Sequence, residues 1–224
     1  MRFRMRVDDG SEVTMLTGIS RSPLGWQTPT FRVHDRMAMA STFSDETIAA
    51  FGITLRPFVE ADIPRIVEAC SDPLTQTWLP LPSPYTHESA RSYAFDAAAE
   101  ALGTGAGIER AIDIDGEFMG VIGLKATDWR AKSTEAGYWL GPWARGCGIM
   151  VRALCAITDW ALDAQGLGRV QVLVAPDNIA SMATAQRAGF VREGILRRAG
   201  VTHAGHVDLV SWSRLVDDPR PRID

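Results

Sequence analysis

Apolar and polar residues repeat along this chain with two different periods, and the change from one period to the other predicts the order of its elements. Between residues 149 and 164 the apolar positions recur at intervals of one, three and four, which puts them on one face of a helix: Ile149, Met150, Ala153, Leu154, Ile157, Trp160, Ala161 and Ala164. The run 169–175 that follows is short and rich in valine, so it predicts a buried strand. Together with a strand at 134–140, this order predicts a parallel or splayed pair of strands joined by a crossover helix.

The remaining segments predict more strands and helices around that unit. Further strands are expected at 53–58, 108–114, 117–125, 191–196 and 207–215. Two helices are expected, one at 60–70 with Pro64 in its first turn and one at 86–102 with Thr86 as its N-cap. Asp115-Gly116 is a hairpin turn signal, and the proline-rich run 79–84 predicts a loop. The fold class is therefore α/β, a mixed and largely antiparallel sheet flanked by helices, whose two central strands are parallel or splayed.

A glycine loop separates the strand at 134–140 from the long helix. In Arg145-Gly146-Cys147-Gly148 the backbone N–H groups are little covered by side chains, just where a helix begins. The first N–H groups of a helix lack intrahelical partners and carry partial positive charge, so this loop is suited to a phosphate or pyrophosphate. The same glycines are also compatible with an ordinary turn.

A second helix is predicted after the strand at 169–175. Asp177 or Asn178 can cap its first turn, and Gly189 can end it. An amide side chain at a helix start can serve as a cap, contact a ligand in a neighbouring cleft, or do both.

Composition excludes several classes of function. The net charge of −4, with no basic stripe, argues against nucleic acid as the main partner. No apolar run of about 18 residues exists, so no membrane span is expected, and the N-terminus lacks the apolar core of a signal peptide. The cysteines Cys70, Cys147 and Cys155 are odd in number, which fits reduced thiols in a cytoplasmic protein.

Two possible reactive groups are given little weight. Cys147 lies near a helix start, which favours a lowered thiol pKa, but no His or Asp is supplied locally to activate it. His203 and His206 flank a turn and no third ligand is close, so no metal site is expected.

Five stretches of the chain resemble the GNAT superfamily of N-acetyltransferases, and the likeness is nearest to the RimJ/RimL type. In family order they are ITLRPF at 53–58, EAGYWL at 135–140, ARGCGI at 144–149, VAPDNIAS at 174–181 and RAGFVREG at 187–194. The resemblance implies an acetyl-coenzyme A site at Trp139, Leu140, Arg145, Gly146, Cys147, Gly148, Ile149, Met150 and Asn178. It runs over about three quarters of the chain, from residue 53 to residue 215, and it implies that the two central strands of the sheet are splayed around the cofactor.

Two positions depart from the family pattern. Trp143 stands where the pyrophosphate motif often has Gln or Arg, although Arg145 keeps a positive charge in the loop. Ala185 stands where many members have a tyrosine that donates a proton. The second departure leaves the general acid unassigned.

The resemblance implies transfer of an acetyl group from acetyl-coenzyme A to a primary amine, by direct attack in a ternary complex. The amine is a protein N-terminus or a small molecule. Glu135 is the candidate base, acting through water, and Ser181 is the candidate to protonate or bind the departing thiolate. Backbone N–H groups around 139–141 would polarise the carbonyl. Loops before the cofactor core shape the acceptor cleft in this family, so the aromatic residues in or beside them are the candidates for acceptor recognition, with a place in a satellite core as the alternative: Trp78, Tyr85 and Trp129.

Another class of function stays open, a non-catalytic module that senses an acyl-coenzyme A. Ala185 in place of the usual tyrosine motivates it. Family members are often dimers, so a homodimer is compatible with either function.

The first 43 residues have no clear helical or strand period. We therefore expect a poorly defined N-terminal extension over 1–43, followed by a single acetyltransferase-like domain over 44–224. Two interpretations remain, a flexible or artefactual extension with translation starting at Met37 or Met39, and a docking arm or lid on the acceptor site.

Overall fold

The computed structural model describes residues 2–6, 12–16 and 42–223. The chain divides into two compact units, Met1–Ala38 and Met39–Asp224. In the first unit, strands β1 (Arg2–Arg6) and β2 (Glu12–Leu16) pair in antiparallel register. The sequence pattern did not predict these two strands. The other expectations for 1–41 fall outside the described residues.

An eight-stranded sheet forms the centre of the second unit. Its strands are β3 (Ile48–Ala50), β4 (Ile53–Arg56), β5 (Ile108–Ile114), β6 (Glu117–Asp128), β7 (Ser133–Leu140), β8 (Arg169–Val174), β9 (Val191–Thr202) and β10 (Gly205–Leu215). They lie side by side in the order β3-β4-β5-β6-β7-β8-β10-β9. Within this sheet β7 and β8 run parallel and the other neighbours run antiparallel. The prediction of a mixed, largely antiparallel sheet is confirmed.

Helices cover both faces of the sheet. They are α1 (Ile63–Ser71), α2 (Pro73–Trp78), α3 (His87–Arg91), α4 (Ala98–Thr104), α5 (Ile149–Asp163) and α6 (Ile179–Arg187), with a π-helical segment Ser92–Ala97 between α3 and α4. The helices α5 and α6 pack on one face, against Ile122 and Leu124, and α1 and α3 pack on the other, against Val121. Successive residues of β6 therefore point into different cores, as strand geometry requires.

Most local signals in the sequence are confirmed. Thr86 caps α3, because its Oγ1 accepts the Ser89 N–H at 3.1 Å. Asp115 and Gly116 both adopt positive φ, as a two-residue hairpin turn requires. The short helix α2 was not predicted; it begins at Pro73 and is capped by Asp72, whose carboxylate accepts the Thr75 N–H at 3.0 Å.

Some predicted boundaries were too narrow or too wide. The first predicted strand ends at Arg56 rather than at 58, and β3 precedes it through a turn at Phe51-Gly52 with positive φ at both residues. The last two strands are longer than predicted, because hairpin pairing continues past the apolar residues as far as Thr202 and Gly205.

The two parallel strands separate soon after they meet. They pair only at Ser133 with Arg169, Thr134 with Val170, and Glu135 with Gln171. From Ala136 to Leu140, β7 pairs with β6 alone, so the sheet opens between β7 and β8 toward the start of α5. This confirms the predicted splayed strands. In the described part of the chain, no helix combines the length and the apolar character needed to cross a bilayer.

Candidate active site

A cavity of about 550 Å³ fills the opening between β7 and β8. Its walls come from both strands, from α2, from the starts of α5 and α6, and from the β9–β10 hairpin. Most of the residues predicted for the site line this one space: Trp78, Glu135, Trp139, Leu140, Arg145, Met150, Asn178 and Ser181. Residues separated by about 100 positions in the chain are thus brought together by the splay of two strands.

The glycine loop borders a second opening, of about 440 Å³, next to the first turn of α5. Gly146 and Gly148 have φ of 82° and 72°, and no side chain caps α5 at Gly148. Arginine is the only charged residue type around this opening within the described structure, at Arg152, Arg187 and Arg222. The uncapped helix start and the three guanidinium groups make this opening attractive to an anion.

Arg145 does not direct its charge toward that opening. Its guanidinium donates to Asp72 Oδ2 at 2.7 Å and to Thr75 Oγ1 at 2.9 Å. It therefore fastens the glycine loop to α2. The positive charge expected from Arg145 is provided instead by Arg152 and by two arginines that are distant in sequence.

Trp143, the other departure from the family pattern, has a packing role. Its Nε1–H donates to the carbonyl of Phe118 at 3.0 Å, and the Arg65 guanidinium lies 4.5 Å from its ring centre. A Cβ atom added to Gly141 would overlap the Trp143 ring, so the glycine is required there. Trp143 thus holds the strand-to-loop connection in place.

Of the two predicted caps, Asp177 and Asn178, it is Asn178 that caps α6. Its side-chain oxygen accepts the Ser181 N–H at 3.1 Å. The Ser181 hydroxyl is turned into the cavity, where it lies 2.9 Å from the hydroxyl of Tyr138. Burial raises the pKa of Tyr138 to about 12, so the phenol stays protonated at neutral pH.

Tyr138 is the residue of the site that the sequence did not single out. Many family members have this phenol on α6, at the position of Ala185, but Ala185 is fully buried and has no room for a ring. Tyr138 brings a phenol to the same cavity from β7. The alternation of side chains along β7 could have placed Tyr138 on the face that α5 and α6 cover. Its contact with Ser181 on α6 could not be predicted, because it forms only when the strands are assembled.

The backbone of β7 also faces the cavity. The Gly141 N–H donates to the Met119 carbonyl at 2.9 Å, so it is not available to a ligand. Because the N–H groups of a strand alternate in direction, those of Leu140 and Tyr138 point away from β6, toward the opening. Of the three backbone positions predicted at 139–141, Leu140 is therefore the one that can reach a carbonyl oxygen.

Glu135 lies on the opposite side of β7 from Tyr138. Its carboxylate is 16% exposed and its Oε1 is 3.0 Å from Lys125 Nζ. A carboxylate on one side of the strand and a hydroxyl pair on the other give the cavity a proton acceptor and a proton donor that do not touch each other.

Three predicted or considered residues have other surroundings. Tyr85 is buried in the second core beside Cys70, and Trp129 donates to the Gly105 carbonyl at 2.8 Å and packs on Phe43. Neither lines the cavity, so of the three aromatic candidates only Trp78 does. His203 bonds to Gln76 at 3.1 Å, and no cluster of three or more metal-ligating side chains occurs among the described residues.

The pattern of the GNAT acetyltransferase domain matches residues 53–191, and the chain belongs to this family. It is 34% identical over 109 residues to YdaF of Bacillus subtilis, a protein named as a candidate ribosomal N-acetyltransferase; the match covers 49% of this chain and 60% of YdaF. It is 32% identical over 101 residues to the ribosomal-protein-serine acetyltransferase of Escherichia coli, covering 45% of this chain and 56% of that one. These matches thus span less than two thirds of either relative.

Solved structures share the fold. RimL, a ribosomal L7/L12 alpha-N-protein acetyltransferase in complex with coenzyme A, superposes with a TM-score of 0.70 at 25% identity, over 77% of this chain and 99% of RimL. RimJ of Mycobacterium smegmatis, in complex with a coenzyme A disulfide, superposes with a TM-score of 0.71 at 23% identity, over 77% of this chain and 88% of RimJ.

Proposed function

We propose that this chain is an acetyl-coenzyme A-dependent N-acetyltransferase that acts on a primary amine, with a protein N-terminus as the preferred acceptor class. The observation that carries the proposal is the short parallel pairing of β7 with β8, which ends at Glu135 and Gln171 and leaves unpaired backbone facing the cavity. Family membership supports acetyl transfer, and the names of several relatives support a protein acceptor.

Coenzyme A fits the two openings by its chemistry. Its pyrophosphate suits the uncapped start of α5 at Gly146–Gly148, where Arg152, Arg187 and Arg222 offset the negative charge. The amide groups of its pantetheine arm match the unpaired N–H and C=O groups along the splayed strands. The acetyl thioester then lies in the cavity beside Leu140 and Tyr138.

The reaction follows from the groups around that position. The neutral amine attacks the thioester carbonyl carbon, a C–N bond forms, and the C–S bond breaks as the thiolate departs. Glu135 accepts a proton from the amine, directly or through a water molecule. The Leu140 N–H stabilises the negative charge on the carbonyl oxygen, and the Tyr138–Ser181 pair supplies a proton to the sulfur. Because both substrates are bound together, positioning provides much of the rate.

Binding is tested by the melting temperature of the purified protein with acetyl-coenzyme A. A ligand that binds only the folded state stabilises it by about 2.7 kcal/mol at 100 times its Kd. The substitution Gly146→Glu should abolish this shift. Gly116→Glu is the matched control, because Gly116 also has positive φ (84°) and open space around it but lies in the β5–β6 turn.

Turnover is tested by thiol release with peptides that begin with serine or alanine, beside a panel of small amines. Release with peptides supports the proposed acceptor class, and release with small amines alone contradicts it. A melting shift without thiol release from any amine would favour the sensing module instead. No melting shift would mean that the likeness extends to the fold alone.

A further inference from the structure

A row of two glycines and one carboxylate crosses the sheet beside the cavity. Glu109 on β5, Gly123 on β6 and Gly137 on β7 are neighbours in register. They lie on the face that carries α1 and α3, together with Lys125 and Glu135 in the next row. The row forms a trough without side chains on its floor, leading from Glu109 to the cavity wall.

Glu109 occupies the first part of this trough. A Cβ atom added to Gly123 would overlap the Glu109 carboxyl group, which therefore lies directly over that glycine. The Tyr93 hydroxyl donates to Glu109 Oε2 at 2.9 Å and fixes its direction. Burial raises the pKa of Glu109 to about 7, against the lowering effects of Tyr93 and Lys125. The reaction as proposed above makes no use of this carboxylate.

The side chain of Lys125 lies over the part of the trough at Gly137. Atoms Cε and Nζ of Lys125 are 3.6 Å and 3.8 Å from the position of a Cβ on Gly137. Its Nζ is 3.0 Å from Glu135 Oε1, and its charge also lowers the pKa of Glu109. One ammonium group thus acts on two carboxylates, directly on Glu135 and at longer range on Glu109. The Lys125 side chain is 59% exposed, so it can move into solvent and leave this position to another cation.

The fold itself does not require glycine at position 137. Its φ is not positive, and an added Cβ would make only ordinary contacts, all of them with the flexible end of Lys125. Glycine in a strand interior costs stability and often marks a place where a ligand approaches the backbone closely. Gly137 also lines the cavity.

We propose that the acceptor binds as an ammonium ion over Gly137, between Glu109 and Glu135, in the position that the Lys125 ammonium holds in the free protein. Glu109 is then an acceptor-binding residue that selects cationic amines, and Lys125 competes with the acceptor. Glu135 takes the proton once the amine is in place. This inference rests on the proposed function. The binding of acetyl-coenzyme A is tested separately, by the shift in melting temperature.

Three variants test the trough, with thiol release from a serine-initiated peptide as the assay. Glu109→Gln should raise the peptide KM about tenfold and change kcat less than threefold. Gly137→Ala should raise KM by a similar factor without lowering the melting temperature. Lys125→Met should lower KM at least threefold. Controls are Glu117→Gln at the β5–β6 turn and Gly194→Ala on β9, where an added Cβ meets open space.

A comparison of a charged with an uncharged acceptor distinguishes ammonium binding from a general structural effect of the substitution. O-Benzylhydroxylamine is uncharged at neutral pH, so Glu109→Gln should leave its KM unchanged while raising that of the peptide. Equal effects on both acceptors, or a higher peptide KM in Lys125→Met, would overturn the inference.

Peptide binding by calorimetry, with the protein saturated in coenzyme A, gives a readout that needs no turnover. If the parent protein releases no thiol, the proposed function fails, but tenfold weaker peptide binding to Glu109→Gln would still support the ammonium site. Absence of peptide binding to the parent, or equal binding to parent and variant, would overturn it.

Discussion

The hydroxyl oxygens of Tyr138 and Ser181 lie 2.9 Å apart, in the opening between β7 and β8. One comes from a strand and the other from the first turn of α6, so the pair exists only in the assembled fold. Burial raises the phenol pKa to about 12, so the phenol is protonated at neutral pH. We propose that this pair donates the proton that a tyrosine on α6 supplies in many family members.

The Tyr138–Ser181 pair should act as a unit in catalysis. We expect Tyr138→Phe to lower kcat by about 10²-fold, a typical loss for a general acid, with the Kd of acetyl-coenzyme A changed little. Ser181→Ala should have a smaller effect, and the double variant should be no worse than Tyr138→Phe alone. Single-turnover thiol release measures this, and simple multiplication of the two losses would contradict the shared role.

Removal of the Glu135 carboxylate should produce a defect that depends on pH. We expect Glu135→Gln to lower kcat/KM by about 10²-fold to 10³-fold at pH 7 with a peptide acceptor, whose α-amino group has a pKa of about 8 and is largely protonated there. The defect should shrink from pH 7 to pH 9, because the acceptor then loses its proton to solvent. The comparison is with Glu117→Gln, and a defect that stays constant across this range would argue against a base.

Restoring the family tyrosine on α6 should damage the fold rather than improve catalysis. Ala185 has no exposed surface, so Ala185→Tyr would overpack the core between α5, α6 and the sheet. We expect a loss of at least 1–3 kcal/mol in the free energy of unfolding, roughly the range for overpacked cores. Urea unfolding measures it, and a stable variant with a higher kcat would contradict the assignment of the acid to Tyr138.

Glu193 should contribute to stability with a defined pH dependence. The Arg169 guanidinium lowers its pKa to about 2, with further hydrogen bonds from Ser213 and Ser211. The folded-state pKa lies below the usual 4.5, so the contribution is present above pH 4.5 and is lost as the pH falls toward 2. We expect Glu193→Gln to cost about 1 kcal/mol at pH 7, because the carboxylate is partly exposed. Near pH 2 parent and variant should converge.

Glu109 should give the free energy of unfolding the opposite pH dependence to Glu193. Its pKa, raised from 4.5 to about 7 by burial, means that the folded state holds a proton that the unfolded chain has already lost. The free energy of unfolding therefore falls as the pH rises from 4.5 to 7, by at most about 1.4 kcal/mol per pH unit. Glu109→Gln should flatten this slope and be relatively more stable at pH 7.5 than at pH 5. Chemical denaturation at the two values checks this, and an unchanged slope would contradict it.

Local signals in the sequence were sufficient for most of the second unit. Asp115-Gly116, Thr86 and Asn178 act through their own backbone neighbours, so their roles can be derived without the fold. The glycine loop before α5 can likewise be derived from its local sequence alone. The boundaries were less accurate, because pairing with a neighbouring strand extends β9 and β10 through polar residues.

Features that depend on pairing between distant segments could not be derived. Tyr138 meets Ser181 only after β7 and β8 splay, and Glu109 meets Gly123 only in the β5–β6 register. The sequence leaves two roles open for Tyr85 and Trp129, acceptor recognition and a satellite core, and packing against Cys70 and Phe43 places both in the cores. Sequence position alone does not distinguish these outcomes.

The early end of the β7–β8 pairing gives the middle of the sheet two inner edges. Beyond Glu135 and Gln171 each strand has one row of backbone groups without a partner strand, although both strands are central in the sheet order. The amide groups of a pantetheine chain can hydrogen-bond to both strands across this gap, as an additional β-strand would. Cofactor binding would then restore the hydrogen bonding that the sheet lacks between β7 and β8. Amide hydrogens at Tyr138 and Leu140 should exchange with solvent as rapidly as those of an outer strand until acetyl-coenzyme A protects them.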